Sequence, residues 1–108
     1  MFARSVTMRI KANTLAEFNK ALVKEVLPLL QKQKGFRDEL TLVAPNGSEV
    51  IGISLWDQRE DAEAYQRTTY PDVQKLLSKV IEGAPQVHTY DVSLSTFHKT
   101  TARHGVSA

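Results

Sequence analysis

The spacing of apolar residues along this chain switches four times between a two-residue and a 3.6-residue period, and the order of those switches restricts it to very few folds. Phe2, Val6, Met8 and Ile10 share one side of an alternating segment, with Arg4 as its polar exception. Ala3, Ser5, Thr7 and Arg9 share the other side, as expected of a strand. Leu15, Phe18, Leu22, Val26 and Leu29 then follow at helical steps. Two more alternating segments are joined by Pro45-Asn46-Gly47-Ser48, residue types that favour a hairpin turn. A second helical stripe and a last alternating segment complete the order β-α-β-β-α-β, the split βαβ pattern.

Local signals sharpen the boundaries. Thr14 with Glu17 predicts a capping box, and Asp57 with Glu60 predicts a second. Pro28 lies inside the first helix, where it removes a backbone hydrogen bond and predicts a kink or a separate last turn. Gly35 suits the left-handed position that closes the helix. Thr68-Thr69-Tyr70-Pro71 predicts a break in the second helix, because the residue before a proline resists helical angles. The helix is expected to resume through Val73, Leu76, Leu77, Val80 and Ile81 and to close at Gly83-Ala84-Pro85. The final strand is expected over residues 87–97.

The 108 residues suit one domain over residues 1–98 followed by a polar tail over 99–108, expected to fray. There is no cysteine, which excludes disulfides, thiolate metal sites and cysteine nucleophiles. His98 and His104 are too scattered for a metal site, so no metal is expected. The net charge of +2 comes with Lys20, Lys24, Lys32 and Lys34 interleaved with Glu17 and Glu25 on the first helix. That pattern is a solvated helix face rather than a nucleic-acid stripe. No apolar run approaches the ~20 residues of a membrane span, and a cytoplasmic protein is the default expectation.

Two helices cover one face of a four-stranded sheet. The sets Val6/Met8/Ile10, Leu40/Leu42, Ile51/Ile53/Leu55 and Tyr90/Val92/Leu94 are expected beneath them. The opposite face is then expected to hold Ser5, Thr7, Arg9, Arg37, Glu39, Thr41, Val43, Gly52, Ser54, Trp56, Thr89, Asp91 and Ser93. So polar a set suits either bulk water or a hydrated cavity closed by a second copy.

Several short segments in a fixed order resemble the antibiotic biosynthesis monooxygenase-like family of dimeric α+β barrels. They are Val26-Leu27-Pro28 leading to Lys34-Gly35-Phe36, Ser54-Leu55-Trp56, Glu63-Ala64-Tyr65, Tyr70-Pro71-Asp72-Val73 and Thr89-Tyr90-Asp91-Val92. The resemblance implies a ferredoxin-like α+β subunit with a four-stranded antiparallel sheet, a homodimer, and a pocket between sheet and helices. It also implies a monooxygenase that needs no cofactor and oxidises a small aromatic, a phenol, quinol or polyketide-like compound, with O2. Trp56 matches the tryptophan that such enzymes place at the end of the third strand. Haem-degrading relatives carry a histidine on the second helix and an asparagine on the first strand. Here Ser78 stands near the former position, and Asn13 lies beyond the strand.

Candidate roles follow. Trp56 would stack on or hydrogen-bond the substrate, or else seal the barrel end. Arg9 would hold an oxyanion and Asp91 would act as base, unless the two form a structural pair. Ser5, Thr7 and Ser54 would line the site, with Tyr65 from the second helix and His88 at its mouth. Tyr65, Tyr70 and Tyr90 also fit as core aromatics. The alternative function is a non-catalytic dimer that binds a small ligand or serves a stress response. A lyase or isomerase on the same pocket is a third possibility, since a fold does not fix its chemistry.

Overall fold

A computed structural model describes residues 1–97. The polar tail, His98 and His104 lie outside the described residues. The elements are β1 (Phe2–Ile10), α1 (Leu15–Ala21), a π-helical turn (Leu22–Val26), α2 (Leu27–Gln31), β2 (Phe36–Val43), β3 (Glu49–Trp56), α3 (Arg59–Thr68), α4 (Tyr70–Leu77) and β4 (Ile81–Asp91). The strands form one antiparallel sheet in the order β2-β3-β1-β4. This is the expected α+β ferredoxin-like arrangement.

Pro28 lies in the first turn of α2, and the widened turn before it takes up the ring and the missing N–H. Pro71 likewise sits in the first turn of α4, and Thr69 separates α3 from α4. Gly35 takes φ +77, and a Cβ there would collide with the Asp61 carboxylate. In the hairpin, Asn46 Oδ1 accepts from both the backbone N–H and the hydroxyl of Ser48, and Gly47 takes φ +74.

Neither capping box forms. The Thr14 hydroxyl donates instead to the Lys11 carbonyl at 2.7 Å and the Val80 carbonyl at 3.3 Å, tying the helix start to the β4 side of the sheet. Gln58 occupies the N-cap of α3, while Asp57 pairs with Arg37. The second helix ends at Leu77, and Ile81 already belongs to β4. That strand ends at Asp91 rather than near Phe97, after which the Val92 N–H donates to the Met1 carbonyl.

The larger correction concerns the faces of three strands. Phe2, Arg4, Val6, Met8 and Ile10 are buried beneath the helices, as their alternation predicts. Cross-strand pairing places Trp56 beside Phe2, Ser54 beside Arg4, Gly52 beside Val6 and Val50 beside Met8. Directly paired residues share a face, so Trp56, Ser54, Gly52 and Val50 point at the helices, and Ile51, Ile53 and Leu55 point away. In β2, Glu39 pairs with Ser54 and Thr41 with Gly52, which puts Leu40 and Leu42 on the open face. A bulge between Phe36 and Asp38 lets Phe36 and Glu39 share the covered face. In β4, His88 pairs with Ser5 and Tyr90 with Ala3, so both lie on the open face, and Tyr90 is 56% exposed instead of packed under the helices.

Candidate functional site

With Ser54, Gly52, Glu39 and Thr41 turned toward the helices, polar groups gather inside the subunit. Under the helices, one row across the sheet reads Arg4, Ser54, Glu39, and the next reads Val6, Gly52, Thr41. Gly52 leaves a dip in this floor, and a Cβ placed there would meet Glu39 Oε2 at 3.5 Å. Phe18, Leu22 and Val26 roof one side of the resulting cavity, and Tyr70, Val73 and Leu77 roof the other. The free space is about 50 Å³. An apolar cavity of about 150 Å³ is what holds one benzene, so a ring-sized ligand requires the roof to yield. The π-helical turn carries two roof residues, Leu22 and Val26, and such turns recur at functional sites.

Arg4 is 3% exposed. Its Nε and Nη2 donate to Gln66 Oε1 at 3.0 and 2.6 Å. The guanidinium carbon lies 4.2 Å from the centre of the Tyr70 ring and 5.1 Å from that of Tyr65, a double cation–π contact. Burial lowers the Arg4 pKa, with the two tyrosines acting in the opposite sense, and an arginine remains cationic near neutrality. The Tyr70 hydroxyl is buried, and its proton finds no acceptor among the described residues. Burial raises its pKa, against the charge and the hydrogen bonding of the Arg4 guanidinium. Tyr65 is pushed up to about 12, chiefly by burial, and therefore stays a neutral phenol.

Glu39 faces this cation across the floor. Burial raises its pKa, while a 2.7 Å hydrogen bond donated by the Thr41 hydroxyl favours the carboxylate. A carboxyl group shifted upward by burial, with a hydroxyl donor beside it, is a stronger proton acceptor once ionised than an ordinary carboxylate.

The residues singled out in the sequence do not gather at one place. Ser54 and Tyr65 line the cavity. Trp56 lies behind it, 0% exposed, with its indole N–H donating to Ser54 Oγ at 2.9 Å. Tyr65 is tilted against the indole at 5.3 Å between ring centres, and Phe36 meets it edge-on at 5.6 Å. Ser5, Thr7, Arg9 and His88 lie on the open face, away from the cavity. Asp91 pairs with Phe2 at one end of β1, whereas Arg9 pairs with Glu82 near the other. The two are on the order of 20 Å apart along the strand and on opposite faces, so they are not a pair within one chain.

Arg4, Glu39, Thr41, Gly52 and Tyr70 were not singled out as site residues. The signal for Arg4 was present, since an arginine within an apolar alternation is either paired or functional. For Glu39 and Gly52 the signal was hidden, because their facing depends on the β2–β3 register. Among the described residues, no group of three metal-ligating side chains gathers and no helix is long and apolar enough to cross a membrane.

Neither protein-family models nor curated protein sequences match this chain. Solved structures do. A monooxygenase from the gene ActVA-Orf6 of Streptomyces coelicolor, in complex with nanaomycin D, superposes with a TM-score of 0.74 at 14% identity, covering 91% of this chain and 92% of its own. SnoaB, a cofactor-independent oxygenase from Streptomyces nogalater, gives 0.73 at 10% identity, covering 88% and 95%. An antibiotic biosynthesis monooxygenase gives 0.69 at 13% identity, covering 85% and 98%.

Proposed function

This chain has the fold of the antibiotic biosynthesis monooxygenase structures, and from that premise we propose that it is a cofactor-independent monooxygenase of a small phenol or quinol. The observation that carries the proposal is the Arg4–Ser54–Glu39 row on the cavity floor, a cation and a titratable carboxyl within apolar walls. Glu39, once ionised, accepts the phenol proton, and its raised pKa narrows the gap to that of the phenol. The phenolate then supplies the electrons for oxygen. Phenol plus O2 gives quinone plus water, with one oxygen atom bonded to the ring and the other leaving in the water. Four electrons leave the substrate, so the stoichiometry needs no outside reductant. Arg4 opposes the build-up of negative charge in a water-poor chamber, where such an interaction is strong. Tyr65 and Ser54 orient the ring, and Trp56 holds both from behind.

The open face is proposed to meet a second copy. Leu40 and Leu42 are about half exposed and sit beside Ile51, Ile53 and Leu55, an apolar patch fit for a homodimer. The surfaces joined would be apolar over the β2–β3 half, rather than hydrophilic as expected from the sequence.

The test is oxygen uptake with a simple hydroquinone by wild type and by Glu39→Gln. A loss of 100-fold or more in the variant, with the thermal transition retained, supports the assignment. Equal uptake in both removes Glu39 as base. The tightness of the cavity favours a second reading, a binder without chemistry. Ligands that raise the melting temperature without oxygen consumption would establish it.

A further inference from the structure

We infer that the cavity selects a single-ring aromatic anion, its anionic group held by Arg4 and Tyr70 and its hydroxyl-bearing edge turned to Glu39. The inference deepens the oxygenase proposal and rests on this cavity being the ligand site, but it requires no oxygen chemistry. Its first support is a charge without a counter-charge. Arg4 is 3% exposed, its hydrogen-bond acceptor is the neutral amide of Gln66, and no carboxylate lies at ion-pair distance from it among the described residues. A buried cation left uncompensated is costly to the fold, and an anionic ligand would remove that cost.

The second support lies beside the first. The Tyr70 hydroxyl is buried next to the same guanidinium, which can donate to its oxygen, but its own proton finds no acceptor among the described residues. Native structures rarely leave such a donor unused, and each orphan points to water or ligand. Two donors lining one cavity, one of them charged, match a carboxylate better than a neutral group.

Size and spacing set the rest of the ligand. Arg4 and Glu39 are two strands apart in one cross-strand row, roughly 10 Å between Cα atoms. One ring with groups at opposite ends fits between their side chains. With about 50 Å³ free, fused ring systems ask far more of the roof than one ring does.

The experiment is calorimetric titration under nitrogen with 4-hydroxybenzoate and with 4-hydroxybenzamide, which has nearly the same shape and no charge. Wild type is expected to bind the benzoate at least tenfold more tightly. The preference should vanish in Arg4→Met and fall severalfold in Tyr70→Phe, a near-isosteric change that keeps the fold. Equal affinity of wild type for both compounds, no binding of either at millimolar concentration, or full preference retained in Tyr70→Phe would each overturn the inference. Oxygen uptake on neutral phenols without anion preference would overturn it and leave the oxygenase proposal standing. Anion preference with no uptake on any phenol would do the reverse.

Discussion

The indole N–H of Trp56 donates to the hydroxyl of Ser54, two residues earlier on the same covered face of β3, at 2.9 Å. The bond fixes one ring in the core and one hydroxyl on the cavity floor. Trp56 is thereby a buttress of the site: it touches Tyr65, which lines the cavity, while being fully enclosed itself.

Trp56→Phe is therefore expected to lower stability by about 1–3 kcal/mol, through lost packing and the loss of its bond to a buried hydroxyl. Chemical denaturation measures the change. A shift below about 0.5 kcal/mol would mean that the ring is not part of a tight core.

Glu39 sets a pH dependence with a definite sign. Burial raises its pKa above the ordinary 4.5, so between the unfolded and folded values the folded protein holds more protons. Its contribution is complete below the unfolded value and is lost as pH rises through the folded one. Melting temperatures recorded upward from about pH 4.5 should fall more steeply for wild type than for Glu39→Gln. Parallel curves would mean that this carboxyl is solvated.

Gly52→Ala adds a methyl to the floor of the cavity. The new Cβ would lie 3.5 Å from Glu39 Oε2, an ordinary contact, and no backbone strain opposes it. Stability is expected to rise by about 0.4–1 kcal/mol through the unfolded state, while affinity for any ring-sized ligand falls. Improved ligand binding would show that the ligand lies elsewhere.

The open face makes a separate prediction. Leu40 pairs with Ile53 and Leu42 with Ile51, and both leucines are exposed. Leu40→Glu with Leu42→Glu places two charges on this patch and should convert a sedimenting dimer to single subunits with the melting transition retained. A wild type that sediments as one subunit would remove the dimer proposal.

Much of the architecture was legible in the residues. The period switches gave the order of elements and located the first three strands and the first helical region. The last strand begins six residues earlier than expected, so Gly83-Ala84-Pro85 lies within β4 and closes no helix. Pro28, Pro71 and Gly35 marked where helices break or close. These are local effects: a ring that fixes φ, a missing N–H, a left-handed turn. The faces of β1 were legible too, since four of its five inward residues are apolar and those between them are polar or small.

For β2, β3 and β4, alternation separates two faces without saying which one the helices cover. In β3 both candidates are credible: Ile51, Ile53 and Leu55 against Val50, Gly52, Ser54 and Trp56. Pairing with β1 decides it, and the bulge at Arg37 carries the decision into β2. The sequence by itself determined the order of elements and the chemistry available to them, because periodicity and backbone restriction act within a few residues. Only the tertiary structure decided that Arg4, Glu39 and Tyr70 surround one chamber while Arg9 and His88 face away, because register is a property of strands meeting and a shift of one residue turns every side chain over.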